Sequence, residues 1–146
     1  MSDARKVLEG RIASVLKPLG YTKRAGTWHR DHGKVISVVN LQKSQWGDDF
    51  YLNLGVYLKQ LGNEDRPPES HCHVRCRAEA LAGMPKLPNE PKELDTLINK
   101  IAVPWLDALT TPKEVAGFLR SEAAHRCFVH RAAIDTLGVE TSAPSA

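Results

Sequence analysis

No stretch of the 146-residue chain approaches the ~20 consecutive apolar residues that a membrane helix requires, which excludes an embedded helical protein. The opening residues, MSDARKVLEG, have no apolar core of the kind a secretory signal carries. Cysteine is scarce, with Cys72, Cys76 and Cys127 forming an odd set. Placed on one strand, Cys72 and Cys76 would lie ~13 Å apart at ~3.3 Å per residue, too far to bridge. A reduced, cytoplasmic protein is therefore expected. The chain also has no nucleophile elbow, no P-loop and no glycine-rich dinucleotide fingerprint. It has no internal repeat and no low-complexity segment. The adjacent carboxylates Asp48-Asp49 and Glu64-Asp65 sit beside turn residues, where solvated loops are expected rather than acid–base pairs.

Charge is present but unevenly placed. The net charge is +3, and residues 1–34 carry eight Lys or Arg against three Asp or Glu. That asymmetry permits an anionic partner. The pI of 8.8 falls short of the strongly basic footprint of a nucleic-acid binder. A chain of this length buries roughly two-thirds of its unfolded surface and needs neither metal nor disulfide to fold as one domain.

The stretch Val35 to Leu58 organises the rest. Phe50, Leu52, Leu54, Val56 and Leu58 alternate with Tyr51, Asn53, Gly55, Tyr57 and Lys59, the period of a strand with one packed and one wet face. Val35, Ile36, Val38 and Val39 supply a β-branched first arm, and Ser44 to Asp48 supply the loop between. Trp46 at the loop tip is expected to fold back over the hairpin; the alternative is an exposed anchor for a partner or a base. Thr27 to Arg30 reads as a preceding strand, joined by the turn Asp31-His32-Gly33-Lys34. The prolines of Gly62 to Ser70 make that run a loop, and His71 to Glu79 reads as the last strand.

Helical spacing flanks this sheet. Leu8, Ile12, Val15, Leu16 and Leu19 form an amphipathic stripe within Asp3 to Leu19, closed by Pro18 and Gly20. Leu94, Leu97, Ile98, Ile101, Trp105 and Leu109 form a second stripe, which Pro104 either kinks or restarts. Thr111, Pro112 and Glu114 make a capping box for a third helix, and a last helical segment is expected near Cys127 to Leu137. Residues 139–146 read as a disordered tail after a single domain of 1–138. The expected fold is α+β: an N-terminal helix, a four-stranded antiparallel meander, and C-terminal helices packed on one sheet face.

The runs Leu16-Lys17-Pro18-Leu19-Gly20-Tyr21, Thr27-Trp28-His29-Arg30, VVNLQKSQWG from Val38 and FYLNLGVYL from Phe50 resemble the small bacterial proteins of domain of unknown function 4304. The resemblance spans roughly Leu8 to Glu79 and is tightest from Val38 to Leu58. It implies no activity and no catalytic residue. The residues after Gly83 match more loosely, and their helical reading rests on periodicity.

The foremost candidate surface is the polar sheet face, which would collect Asn40, Gln42, Tyr51, Asn53, Tyr57, His71, His73, Arg75 and Arg77, with Trp46 at its rim. Amides, phenols and guanidinium groups on rigid strands suit a protein partner, an anion or a nucleic-acid strand. Gly55 in mid-strand would allow close approach of another backbone. The opposing reading is an ordinary wet face, or one partly covered by a C-terminal helix. His71 and His73, at i and i+2 on one strand, form a weak metal pair without an evident third ligand. Cys72 and Cys76 are expected in the core with Val74, and nothing local provides a base for any of the cysteines. The sequence thus favours a non-enzymatic module that holds a protein partner and needs no cofactor. A nucleic-acid binder and a metal-assisted enzyme using His71 and His73 are the alternatives.

Overall fold

Two nine-residue strands, β3 (Val35–Lys43) and β4 (Phe50–Leu58), pair along their whole length from Val35↔Leu58 to Lys43↔Phe50. A computed structural model describes residues 3–139. Its sheet is an antiparallel meander of six strands in sequence order: β1 (Thr22–Arg24), β2 (Thr27–Asp31), β3, β4, β5 (Val74–Arg77) and β6 (Phe128–Val129). The expected meander is correct in connectivity and short by one strand at each edge. The extra β1 turns into β2 through Ala25 and Gly26, both at positive φ (51° and 77°), as a tight two-residue hairpin demands. At the other edge, β6 occupies residues expected to be helical, and the last helix, α6 (Arg131–Thr136), starts only after it.

The fourth expected strand is also shorter than its sequence suggested. Glu69–His71 forms a 3-10 turn ahead of β5, after two prolines that cannot donate to a ladder. At its far end the chain enters a helical turn, α2 (Ala78–Leu81), where the buried Glu79 carboxylate takes the Leu52 N–H at 3.2 Å and ends the β4–β5 ladder.

The helices lie on one sheet face, as expected. α1 (Asp3–Leu16) presents Leu8, Ile12 and Leu16 at four-residue spacing, all buried, and Gly20 caps the 3-10 turn that follows at φ 96°. A 14-residue helix is marginal alone, so this stripe holds it: each fully buried Ile or Leu contributes about 1.5–3 kcal/mol. The stripe packs with Trp28, Val39, Leu41, Phe50, Leu52 and Leu54 from the sheet and with Leu94, Leu97, Ile98 and Leu106 from the helical third. That third runs as α3 (Pro91–Leu97), a wide π turn (Ile98–Ala102) and α4 (Val103–Asp107). The π turn sits immediately before Pro104 and absorbs the missing donor, so the rod continues where a break was one of two expectations.

α5 (Pro112–Leu119) begins at the expected cap: the Glu114 N–H donates to Thr111 Oγ1 at 3.1 Å. Its Val115 and Leu119 join Val35, Val56, Leu58, Val74 and Ala133 in a second apolar cluster on the same face. Residues 140–146 of the expected tail lie outside the described residues, and Val139 just before them is buried. Among the described residues, no helix is long and apolar enough to cross a membrane.

Candidate functional site

The register fixes which residues share the second sheet face. Ile36↔Tyr57, Val38↔Gly55, Asn40↔Asn53 and Gln42↔Tyr51 place four residues of β3 against four of β4, with Gly55↔Arg75 and Asn53↔Arg77 continuing the rows onto β5. This face is divided in two, and the β4–β5 connection rather than a C-terminal helix divides it.

Residues 59–73 fold back over the half that holds Ile36, Val38 and Tyr57, and Cys72 closes a small apolar cluster with them. The His29 Nε2–H donates to the Pro67 carbonyl at 2.6 Å, and the Tyr57 hydroxyl accepts the Glu64 N–H at 3.2 Å. His73 is buried with its Nδ1 accepting the Leu58 N–H at 3.0 Å, which requires the neutral ring. Burial lowers the pKa of both His29 and His73, and the neighbouring His130 lowers that of His73 further. The close approach permitted by Gly55 is made by this same loop: a Cβ on Gly55 would meet Cys72 Sγ at 2.6 Å and its Cβ at 2.9 Å. Gly55 therefore serves the fold.

The other half stays open. Asn53 lies at its centre, its Nδ2 donating to Gln42 Oε1 at 2.8 Å and to Asn40 Oδ1 at 3.3 Å, while its Oδ1 accepts from Arg77 Nε at 3.4 Å. The Arg77 guanidinium lies over the Tyr51 ring, 3.9 Å from its centroid. Arg75 makes a two-pronged contact with the buried Glu69 carboxylate at 2.9 and 3.2 Å and lies 5.5 Å from the Phe128 centroid. The Glu69 contact raises the Arg75 pKa. A cleft of about 300 Å³ opens between these groups, with Arg126 and Phe128 forming its far wall. Arg75 is neutralised by Glu69, whereas neither Arg77 nor Arg126 has a carboxylate partner among the described residues. The open half is thus amide-lined and positive, with Arg77 oriented in advance by stacking and hydrogen bonding.

Six of the expected site residues, Asn40, Gln42, Tyr51, Asn53, Arg75 and Arg77, are brought together here. Three are not. Tyr57 and His73 are buried under the loop. His71 stands at the surface in the 3-10 turn, its Nδ1 3.0 Å from the Glu64 carboxylate. The expectation of a shared metal face for His71 and His73 fails because β5 begins only at Val74, so the two rings do not obey strand alternation. His73 Nδ1 is moreover already engaged, and among the described residues no three His, Cys, Asp or Glu side chains converge as ligands. Trp46 does not fold back; it is 92% exposed at the hairpin tip.

Glu69, Arg126 and Phe128 are not evident from the sequence: Glu69 falls in the proline-marked loop, Phe128 in the expected last helix and Arg126 just before it. A further hydrogen-bonded pair was equally hidden: His32 Nε2 lies 2.8 Å from Ser37 Oγ. It imitates a base and nucleophile, but Ser37 has no exposed surface and also bonds the Tyr21 hydroxyl, whose pKa burial pushes up to about 12. No substrate reaches that hydroxyl, so the chain of groups ties the β2–β3 turn to the core.

Residues 12–108 match the family model described as domain of unknown function (DUF4304). That match covers about two thirds of the chain, which therefore belongs to this family. It runs past the last strand of the initial resemblance and takes in the helices through α4. Neither a curated protein nor a solved structure matches the chain.

Proposed function

We propose that this member of the DUF4304 family is a non-enzymatic binding module, and that the open half of its sheet holds an acidic segment of a protein partner. One observation carries the reading: Arg77 is held in place by Tyr51 and Asn53 and, among the described residues, is in no salt bridge. A guanidinium fixed in this way loses little side-chain freedom on pairing with a carboxylate, and its planar fork favours two-pronged contact. The Asn40–Asn53–Gln42 amides beside it offer donors and acceptors to a peptide backbone. Arg126 and the half-exposed Phe128 would flank the same segment.

A nucleic-acid strand is the second reading, since phosphate also suits Arg77 and Trp46 is an exposed stacking surface. The cleft holds only two unneutralised guanidiniums, however, and both readings are tested together. The full chain is passed over an array of acidic, neutral and basic peptides and over single-stranded oligonucleotides at several salt concentrations. Retention by acidic peptides, weakened at least ~10-fold in R77E/R126E with unchanged thermal stability, is expected. Equal retention of all peptides, or a response confined to oligonucleotides with a steep salt slope, would overturn the peptide reading.

A further inference from the structure

The β5–β6 edge contains a second chemical feature, independent of what the cleft binds. Val74 pairs with Val129 and Arg75 with Phe128, so one more step of the same antiparallel register sets Cys76 opposite Cys127. The His130 N–H donates to the His73 carbonyl at 2.7 Å, which marks 73/130 as a hydrogen-bonded position. Alternation then makes 76/127 a non-hydrogen-bonded pair, the kind with Cα atoms ~4.5 Å apart and side chains closest. That separation lies within the Cα span of a disulfide, ~4.4–6.8 Å. The Cys76 thiol donates to the Arg126 carbonyl at 3.5 Å, which sets its sulfur beside the residue that precedes Cys127. Both thiols are unbridged, and the third thiol cannot compete: Cys72 is buried on the opposite sheet face against Gly55, near the Pro68 carbonyl at 3.9 Å.

We infer that Cys76 and Cys127 form a site of reversible oxidation, closing to a cross-strand disulfide when a low-molecular-weight disulfide such as oxidised glutathione is present. Cys127 is partly exposed, and Cys76, although buried, borders the cleft, so a small reagent reaches the pair from the Cys127 side. One protein thiolate attacks the glutathione disulfide, making a mixed disulfide and releasing the first glutathione thiolate. The second protein thiolate attacks the protein sulfur of that mixed disulfide and expels the second. Two protein thiols are oxidised, one disulfide is reduced, and the two thiol protons end on two glutathione thiols. The neighbouring Cys127 thiol and Arg126 lower the Cys76 pKa against the opposing effects of burial and Glu79. β6 is only two residues long, so the new bond would tie the Arg126–Phe128 wall of the cleft to β5.

The test treats the full chain with oxidised and reduced glutathione at set ratios, quenches in acid, unfolds it and alkylates the remaining thiols before mass spectrometry. In oxidising mixtures the expected product is a monomer that has lost two of its three alkylatable thiols, with a Cys76–Cys127 linked peptide. C72S gives the same link, while C127S forms none. The thermal midpoint of the parent rises on oxidation, and that of C127S does not. Three alkylatable thiols after oxidation, a link through Cys72, or cross-linked dimers alone would overturn the assignment.

Discussion

His73 shows how one side chain can be spent on the fold despite looking like a ligand. Its Nδ1 accepts the Leu58 N–H, and its ring lies against Tyr57 with centroids 4.8 Å apart. Burial lowers its pKa, as it does for His29 and His32. A histidine with a depressed folded pKa contributes stability that is present above its unfolded value, ~6.5, and is lost as pH falls through the folded value. Stability should therefore decline on acidification from about pH 6.5, beyond the loss due to carboxylates. H73N, which keeps an acceptor near the Nδ1 position and does not titrate, should flatten part of that decline. Urea midpoints of parent and variant between pH 8 and pH 5 check this. Parallel slopes would mean that His73 is not the titrating group.

At the scale of elements, the loop over the sheet matters as much as the strands. Gly55 is the seat of that loop, and a side chain there collides with Cys72. G55A should cost about 1–3 kcal/mol, the range for overpacking a filled site. C72A in the G55A background should recover part of the loss, since it removes the Sγ contact at 2.6 Å but leaves the Cβ contact at 2.9 Å. Equilibrium unfolding of the four proteins in this cycle gives the coupling, and strict additivity would show that Cys72 does not seat on Gly55.

The central elements were legible from local pattern. Residues 50–58 alternate strictly, and β3 and β4 occupy the expected stretches. The edges were not. Thr22-Lys23-Arg24 is exposed throughout and carries no apolar alternation, and Phe128-Val129 is a strand only because β5 lies beside it. Asn40, Gln42, Tyr51, Asn53, Arg75 and Arg77 share one face as their alternation suggests, whereas Tyr57 on the same face is buried under the loop. The loop that halves this face, and the Arg126–Phe128 wall that completes the cleft, depend on contacts between residues far apart in sequence, to which a local period is blind.

For the whole molecule, the helices and one sheet face make a packed body, the β4–β5 loop seals half of the other face, and the remaining half presents Arg77 among amides. In the proposed function, that open half is the working surface. The most direct measurement is a titration of the isotope-labelled chain with the best-retained acidic peptide, followed by NMR. The side-chain amide signals of Asn40, Gln42 and Asn53 and the Nε–H of Arg77 should shift together and saturate at one affinity, with His29 and His73 unmoved. Shifts confined to the Trp46 indole or to the covered half, or no shift at saturating peptide, would contradict it.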